Sequence, residues 1–199
     1  MASELELEIC DWDQIYDLLL NIAHKIRKSG FKADLIVGVS RGGWTPARVM
    51  SDLLQNPALA NVKTEFYLRV AETKTKPVIT QPVSVPVKGK KVLLMDDIAD
   101  TGESLCLVQS YLKELGATSV KVATIYYKPW SLLKPDWYEK QTREWVVFPW
   151  ERKETVKSIV EQYKSQGKTI EEAKEKLVKS GLNRQLVERF IQEISGEDP

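Results

Sequence analysis

Between Val92 and Leu105 the chain reads VLLMDDIADTGESL. Apolar residues suited to a buried strand run into two adjacent carboxylates, Asp96 and Asp97. After Ile98 and Ala99 come Asp100, Thr101 and Gly102, then Glu103 and Ser104 where a helical pattern begins. Acids at the carboxyl end of a strand can accept hydrogen bonds from sugar hydroxyls or hold a hydrated Mg²⁺. Hydroxyls, loop amides and a glycine at a helix N-terminus can cradle a phosphate. Together they suit a phosphorylated polyol. The plainer reading is that the acids cap the turn and the hydroxyls cap the helix. A second turn, Ser40-Arg41-Gly42-Gly43, follows the apolar run Leu35 to Val39 and precedes another helix. Its amides and the Arg41 guanidinium suit an anion, although a Gly-Gly turn with a surface arginine would read the same.

The elements that must hold these turns can be read from periodicity. Asp11 and Gln14 form a capping-box-like start, and Trp12, Ile15, Leu19, Ile22 and Ile26 recur at helical spacing up to Ser29-Gly30. Leu35 to Val39 reads as a strand, Pro46 to Leu54 as a helix and Val62 to Val70 as a strand. Residues 71–82 read as a mobile loop and 83–87 as a short strand. Lys91 to Asp97 is the central strand, Glu103 to Leu115 a helix closed by Gly116, and Val120 to Tyr127 the next strand. Strands alternating with helices predict an α/β fold, a mostly parallel sheet with helices on both faces. From Pro129 to Trp150 the texture changes, with Trp130, Trp137, Trp145 and Trp150 among prolines. Beyond Glu151 three amphipathic helices are predicted, the second capped by Thr169 with Glu172 and the third by Asn183.

With 199 residues, 43% of them hydrophobic, the chain can bury one full core and a small appendage. A formal net charge of +1 gives no electrostatic case for nucleic acid or a membrane surface as partner. No apolar run approaches the roughly 20 residues of a membrane span, and the acidic N-terminus lacks a signal core, so a cytoplasmic location is expected. Cys10 and Cys106 have no metal-ligand spacing, and Cys106 is expected on the buried side of its helix.

The stretch Val92 to Leu105 closely resembles the phosphoribosyl pyrophosphate (PRPP) motif of type I phosphoribosyltransferases, and the resemblance extends over roughly residues 34–151. It implies the fold of that family and a role for each turn. Asp96 and Asp97 would meet the ribose hydroxyls of PRPP and organise its Mg²⁺. Ala99, Asp100, Thr101, Gly102, Glu103 and Ser104 would bind the 5′-phosphate, and Asp100 would also act on the base nitrogen as the catalytic group. Ser40, Arg41, Gly42 and Gly43 would bind pyrophosphate, in a loop that often carries a non-proline cis peptide in this family. Arg69, Lys74 and Lys76, in or beside the 71–82 loop, are candidates to reach pyrophosphate when that loop closes as a lid.

Lys128-Pro129 and the segment Trp145 to Glu151 (WVVFPWE) resemble the hood of xanthine-guanine type enzymes. On that pattern Lys128 donates to the exocyclic O6, Trp145 stacks on the purine, Val146 offers a backbone carbonyl and Glu151 meets a 2-amino group. An ammonium can only donate, so Lys128 favours a 6-oxopurine over adenine. Trp130, Trp137 and Trp150 read first as core. The resemblance therefore implies a Mg²⁺-dependent transfer of the 5-phosphoribosyl group from PRPP to hypoxanthine, guanine or xanthine in purine salvage. Its expected organisation is a core at 1–153 with a hood at about 128–151, a helical extension at 154–199, and a homodimer or homotetramer. An adenine-specific enzyme is one alternative. A PRPP-sensing regulator that binds nucleic acid is another, disfavoured because the extension holds no basic recognition stripe.

Overall fold

The computed structural model describes residues 6–68 and 75–196. Two compact units emerge from it, Ile15–Arg143 and the two chain ends together, up to Gln14 and from Glu144. This grouping differs from a division at 153/154. The reason is a strand that sequence reading passed over: β1 (Leu7–Ile9) pairs in parallel with β8 (Trp145–Val147), so the amino end and the distal half of the hood belong with the tail.

The larger unit carries six strands in the order β4-β3-β2-β5-β6-β7. These are β2 (Leu35–Ser40), β3 (Leu59–Leu68), β4 (Thr75–Gln81), β5 (Lys91–Ala99), β6 (Ser119–Tyr127) and β7 (Lys140–Gln141). All neighbours are parallel except β3 and β4. Strands β2 and β5 are buried along nearly their whole length, as continuous apolar runs in a two-sided sheet require. Helix α1 (Trp12–Lys28) starts as its sequence predicts. The Asp11 Oδ1 accepts from the Gln14 N–H at 2.7 Å and Gln14 Oε1 from the Asp11 N–H at 3.3 Å. Helix α2 (Trp44–Leu53) follows β2, and α3 (Glu103–Glu114) follows β5. The core joins Val37, Val39, Leu94 and Val122 of the strands to Leu105, Val108 and Leu112 of α3. Cys106 is only partly buried, one position off that apolar stripe.

The expected strand at 83–87 is not formed. Val83, Val85 and Val87 still pack on the core, but they alternate with Pro82, Ser84 and Pro86, and proline brings no N–H to a ladder. The strand lies earlier: β4 occupies most of the expected loop, tolerating Pro77 because it is an edge strand.

In the smaller unit, helices α4 (Arg152–Ser165), α5 (Ile170–Lys179) and α6 (Arg184–Ser195) close around Val156, Ile159, Val160, Ala173, Leu177 and Val187. Leu7 and Ile9 of β1 pack on that cluster. Thr169 and Glu172 form a reciprocal capping box on α5, and the Asn183 side chain accepts from the Leu186 N–H on α6. Among the described residues no helix is long and apolar enough to cross a membrane.

Candidate active site

Parallel strands β2 and β5 are neighbours in register, Leu35 against Val92 and Gly38 against Met95, so the turns that leave their carboxyl ends lie side by side. The first turn, Ser40 to Gly43, opens with a cis peptide between Ser40 and Arg41 and runs into α2. The second, Asp96 to Gly102, runs into α3. They touch: a Cβ at Gly42 would overlap the Asp97 carboxylate, and one at Gly43 would overlap the Met95 carbonyl and come within 2.8 Å of the Asp96 Cα. Only glycine lets this backbone approach the acid pair so closely.

Asp97 is 7% exposed and its Oδ1 accepts from the Ile98 N–H at 2.8 Å. Asp96 accepts from the Asp97 N–H at 3.0 Å. Its carboxyl is held well above the ordinary carboxylate range, first by burial and then by the negative charge of Asp97, while the amides of Asp97 and Gly43 pull the other way. Two crowded carboxylates of which one resists ionisation form a site that a cation would complete. Among the described residues no cluster of three or more His, Cys, Asp or Glu side chains is placed to hold a metal. Two carboxylates without a protein cage fit Mg²⁺, which takes most of its remaining ligands from water and substrate phosphates.

Asp96, Asp100, Thr101, Gly102 and Ser104 line one cleft of about 220 Å³, with Phe66, Ile98 and Leu105. Thr101 Oγ1 accepts from the Glu103 N–H at 3.3 Å, and the first bond within α3 runs from the Cys106 N–H to the Gly102 carbonyl at 2.9 Å. The amides before Cys106 thus have no partner within the helix and head the cleft, where the helix dipole favours an anion. Gly102 takes φ +79°, and a Cβ there would meet the Ser131 Oγ at 2.5 Å. A roomier depression of about 390 Å³ lies between the ends of α1 and α2, lined by Arg27, Gly30 to Ala33 and Leu54 to Asn56, and that lining holds no acid, hydroxyl, thiol or imidazole. Residue chemistry, not size, selects the cleft beside Asp100.

Lys128 is buried and joins the same loop through its N–H, which donates to the Ala99 carbonyl at 3.0 Å. Its Nζ lies 5.3 Å from the Trp130 ring centre. The remaining base-side candidates belong to the smaller unit. Trp145 is half exposed on β8. The Trp145 N–H donates to Glu6 and the Val147 carbonyl accepts from Cys10, which turns the Val146 carbonyl away from the β1 ladder. Glu151 precedes α4 and accepts from the Phe148 N–H at 3.4 Å. Trp150 stacks on Phe148, with centroids 4.9 Å apart, and Trp137 packs on Phe31, but both tryptophans are only partly buried and lie at the margin of the core rather than within it. Lys76 is on β4, whereas Arg69 and Lys74 lie outside the described residues.

Sequence reading passed over Phe66, Ile98 and Leu105 as lining. An exposed aromatic near the end of β3 carries no motif, and Ile98 and Leu105 read as core.

Residues 8–155 match the phosphoribosyl transferase domain family. The chain belongs to that family. Among curated members, a xanthine-guanine phosphoribosyltransferase of Gluconobacter oxydans is 28% identical over 144 residues, 70% of this chain and 82% of that protein. A purine phosphoribosyltransferase of Pyrococcus horikoshii has a solved structure that superposes with a TM-score of 0.67 at 38% identity, over 73% of this chain and 94% of that one. A Neisseria gonorrhoeae protein solved with bound ppGpp gives 0.66 at 25% identity, over 74% and 90%. This chain is accordingly a phosphoribosyltransferase with the α/β fold of that family. Residues 156–199 lie beyond the matched range.

Proposed function

We propose that the protein transfers the 5-phosphoribosyl group of PRPP to a 6-oxopurine, hypoxanthine, guanine or xanthine, releasing pyrophosphate in purine salvage. The observation that carries this reading is the meeting of two anion-suited turns, Ser40–Gly43 and Asp100–Ser104, on one carboxylate pair. The names of its purine relatives, and the guanine nucleotide bound by the Neisseria neighbour, support the base class.

In this reading Thr101, Ser104 and the leading amides of α3, with Ala99, Gly102 and Glu103, hold the 5′-phosphate, and Asp96 and Asp97 engage the ribose hydroxyls. Ser40, Arg41, Gly42 and Gly43 hold the pyrophosphate as negative charge gathers on it, and Lys76 is a further candidate. Asp96 and Asp97 would also hold Mg²⁺, which supplies charge neutralisation on the departing pyrophosphate. Asp100 accepts a hydrogen bond from the purine, taking or sharing its proton as the base nitrogen attacks C1 of the ribose. Lys128 donates to O6, Trp145 stacks, Val146 supplies a carbonyl, and Glu151 meets a 2-amino group. A homodimer or homotetramer completes the proposal.

The test is pyrophosphate release from PRPP and Mg²⁺ with adenine, hypoxanthine, guanine and xanthine offered separately. Turnover on at least one oxopurine is expected, falling roughly 10²- to 10⁴-fold in Asp100→Asn. Turnover on adenine alone would sink the assignment of Lys128, and PRPP binding with no turnover on any base would favour a regulator.

A further inference from the structure

The segment after β6 meets the phosphate loop residue by residue. The Lys128 N–H donates to the Ala99 carbonyl at 3.0 Å and the Leu132 N–H donates to the Thr101 carbonyl at 2.9 Å. Between them, the Trp130 indole N–H donates to Asp100 Oδ1 at 3.1 Å. Alternate residues 128, 130 and 132 thus bind consecutive residues 99, 100 and 101. The two outer bonds are backbone to backbone and could be made by almost any sequence. The middle one needs a side chain at 130 that carries a donor.

Trp130 is about half exposed, so burial does not explain it. Its ring is held in place by two cations, the Lys128 Nζ at 5.3 Å and the Arg143 guanidinium at 5.9 Å from the ring centre. The indole N–H is a donor only, so it must meet an acceptor. A carboxylate has two oxygens, and Asp100 lines the cleft, so a bond to Oδ1 leaves Oδ2 able to accept from a ligand there. We infer that Trp130 is a positioning residue for Asp100, fixing the carboxylate rotamer so that one oxygen is presented to the purine. Phenylalanine in its place would keep the ring and both cation contacts but release the carboxylate to rotate in solvent. This inference rests on the reading of Asp100 as the group that acts on the base.

The experiment is a double-mutant cycle on the full chain, with Trp130→Phe, Asp100→Asn and the pair, read as kcat and KM on the preferred base. Trp130→Phe is expected to lower kcat about tenfold with the KM for PRPP unchanged within about twofold. In the Asp100→Asn background it is expected to cost nothing further. Trp130→His, which keeps a ring N–H, should recover part of kcat, a rescue that a purely structural role would not give. Thermal melting of each variant checks the fold. A tenfold loss in both backgrounds, or a loss confined to KM, would overturn the inference while leaving Asp100 intact. Full activity in Asp100→Asn would remove the Asp100 reading and this inference with it.

Discussion

Asp96 shows what the site costs its own residues. Its carboxyl is driven well above the ordinary range by burial and by Asp97. For an acid the sign follows directly: ionising it opposes folding, the penalty is complete above the folded value, and it disappears as pH falls below the unfolded value. Asp96→Asn keeps an oxygen that can accept from the Asp97 N–H and removes the repulsion. It should therefore stabilise the ligand-free protein by roughly 0.5–2 kcal/mol while abolishing turnover, the trade expected where function requires crowded charge. A pyrophosphate-release assay checks the loss of turnover, and urea unfolding at pH 7 and pH 4 checks the stabilisation, which should shrink at the lower pH. An equal gain at both would show that the amide stabilises by something other than charge. These acids were legible in sequence because strand, acid, hydroxyl and glycine follow one another within a single short segment. Trp130 was not, because its partner is 30 residues away and nothing local marks an indole that donates to a carboxylate.

At the scale of elements, legibility tracked whether a local rule had a competitor. The caps at Asp11, Thr169 and Asn183 formed where sequence placed them, since each bond closes within three residues. Strand β4 was hidden because proline, threonine and lysine read as loop until the edge of a sheet makes them admissible. The tail helices add a layer of exposed and partly buried carboxylates held below their ordinary range. Glu193 is lowered by Lys153 and then Arg189, Glu175 by Arg184, and Glu172 by the Thr169 amide. A depressed acid lends stability that is present above its unfolded value and lost as pH falls through the folded one. Stability of α4 to α6 should thus decline as pH falls below the ordinary 4.5, and Glu193→Gln should flatten that decline. Amide hydrogen exchange of the three helices along an acid titration reads it directly, and an unchanged slope in Glu193→Gln would refute the assignment.

Across the whole molecule, the chain's two ends fold together. The residues that suggest a nucleotide-forming enzyme fall mostly within Ile15–Arg143, whereas Trp145, Val146 and Glu151 share a unit with β1 and the tail. A three-residue strand is too short to announce itself in sequence, and its parallel partner lies about 140 positions away, so this grouping needed coordinates. Leu7 and Ile9 do more than pair with β8: they pack on the cluster of Val156, Ile159 and Leu177, and the Ile9 Cγ1 comes within 3.8 Å of where a Cβ on Gly181 would sit. The amino end is thus part of the core of the carboxyl-terminal helices. Ile9→Ala removes part of that packing and, because Ile9 is only partly buried, should cost about 1–2 kcal/mol, below the 2–5 of a fully buried site. The loss should be local. Hydrogen exchange should speed up in β8 and α4 to α6 and stay unchanged in β2, β5 and α3, because the sheet core around Val37, Leu94 and Leu112 does not draw on β1. Faster exchange everywhere would mean that the two units unfold as one. No change in the tail would mean that β1 is a passenger on β8.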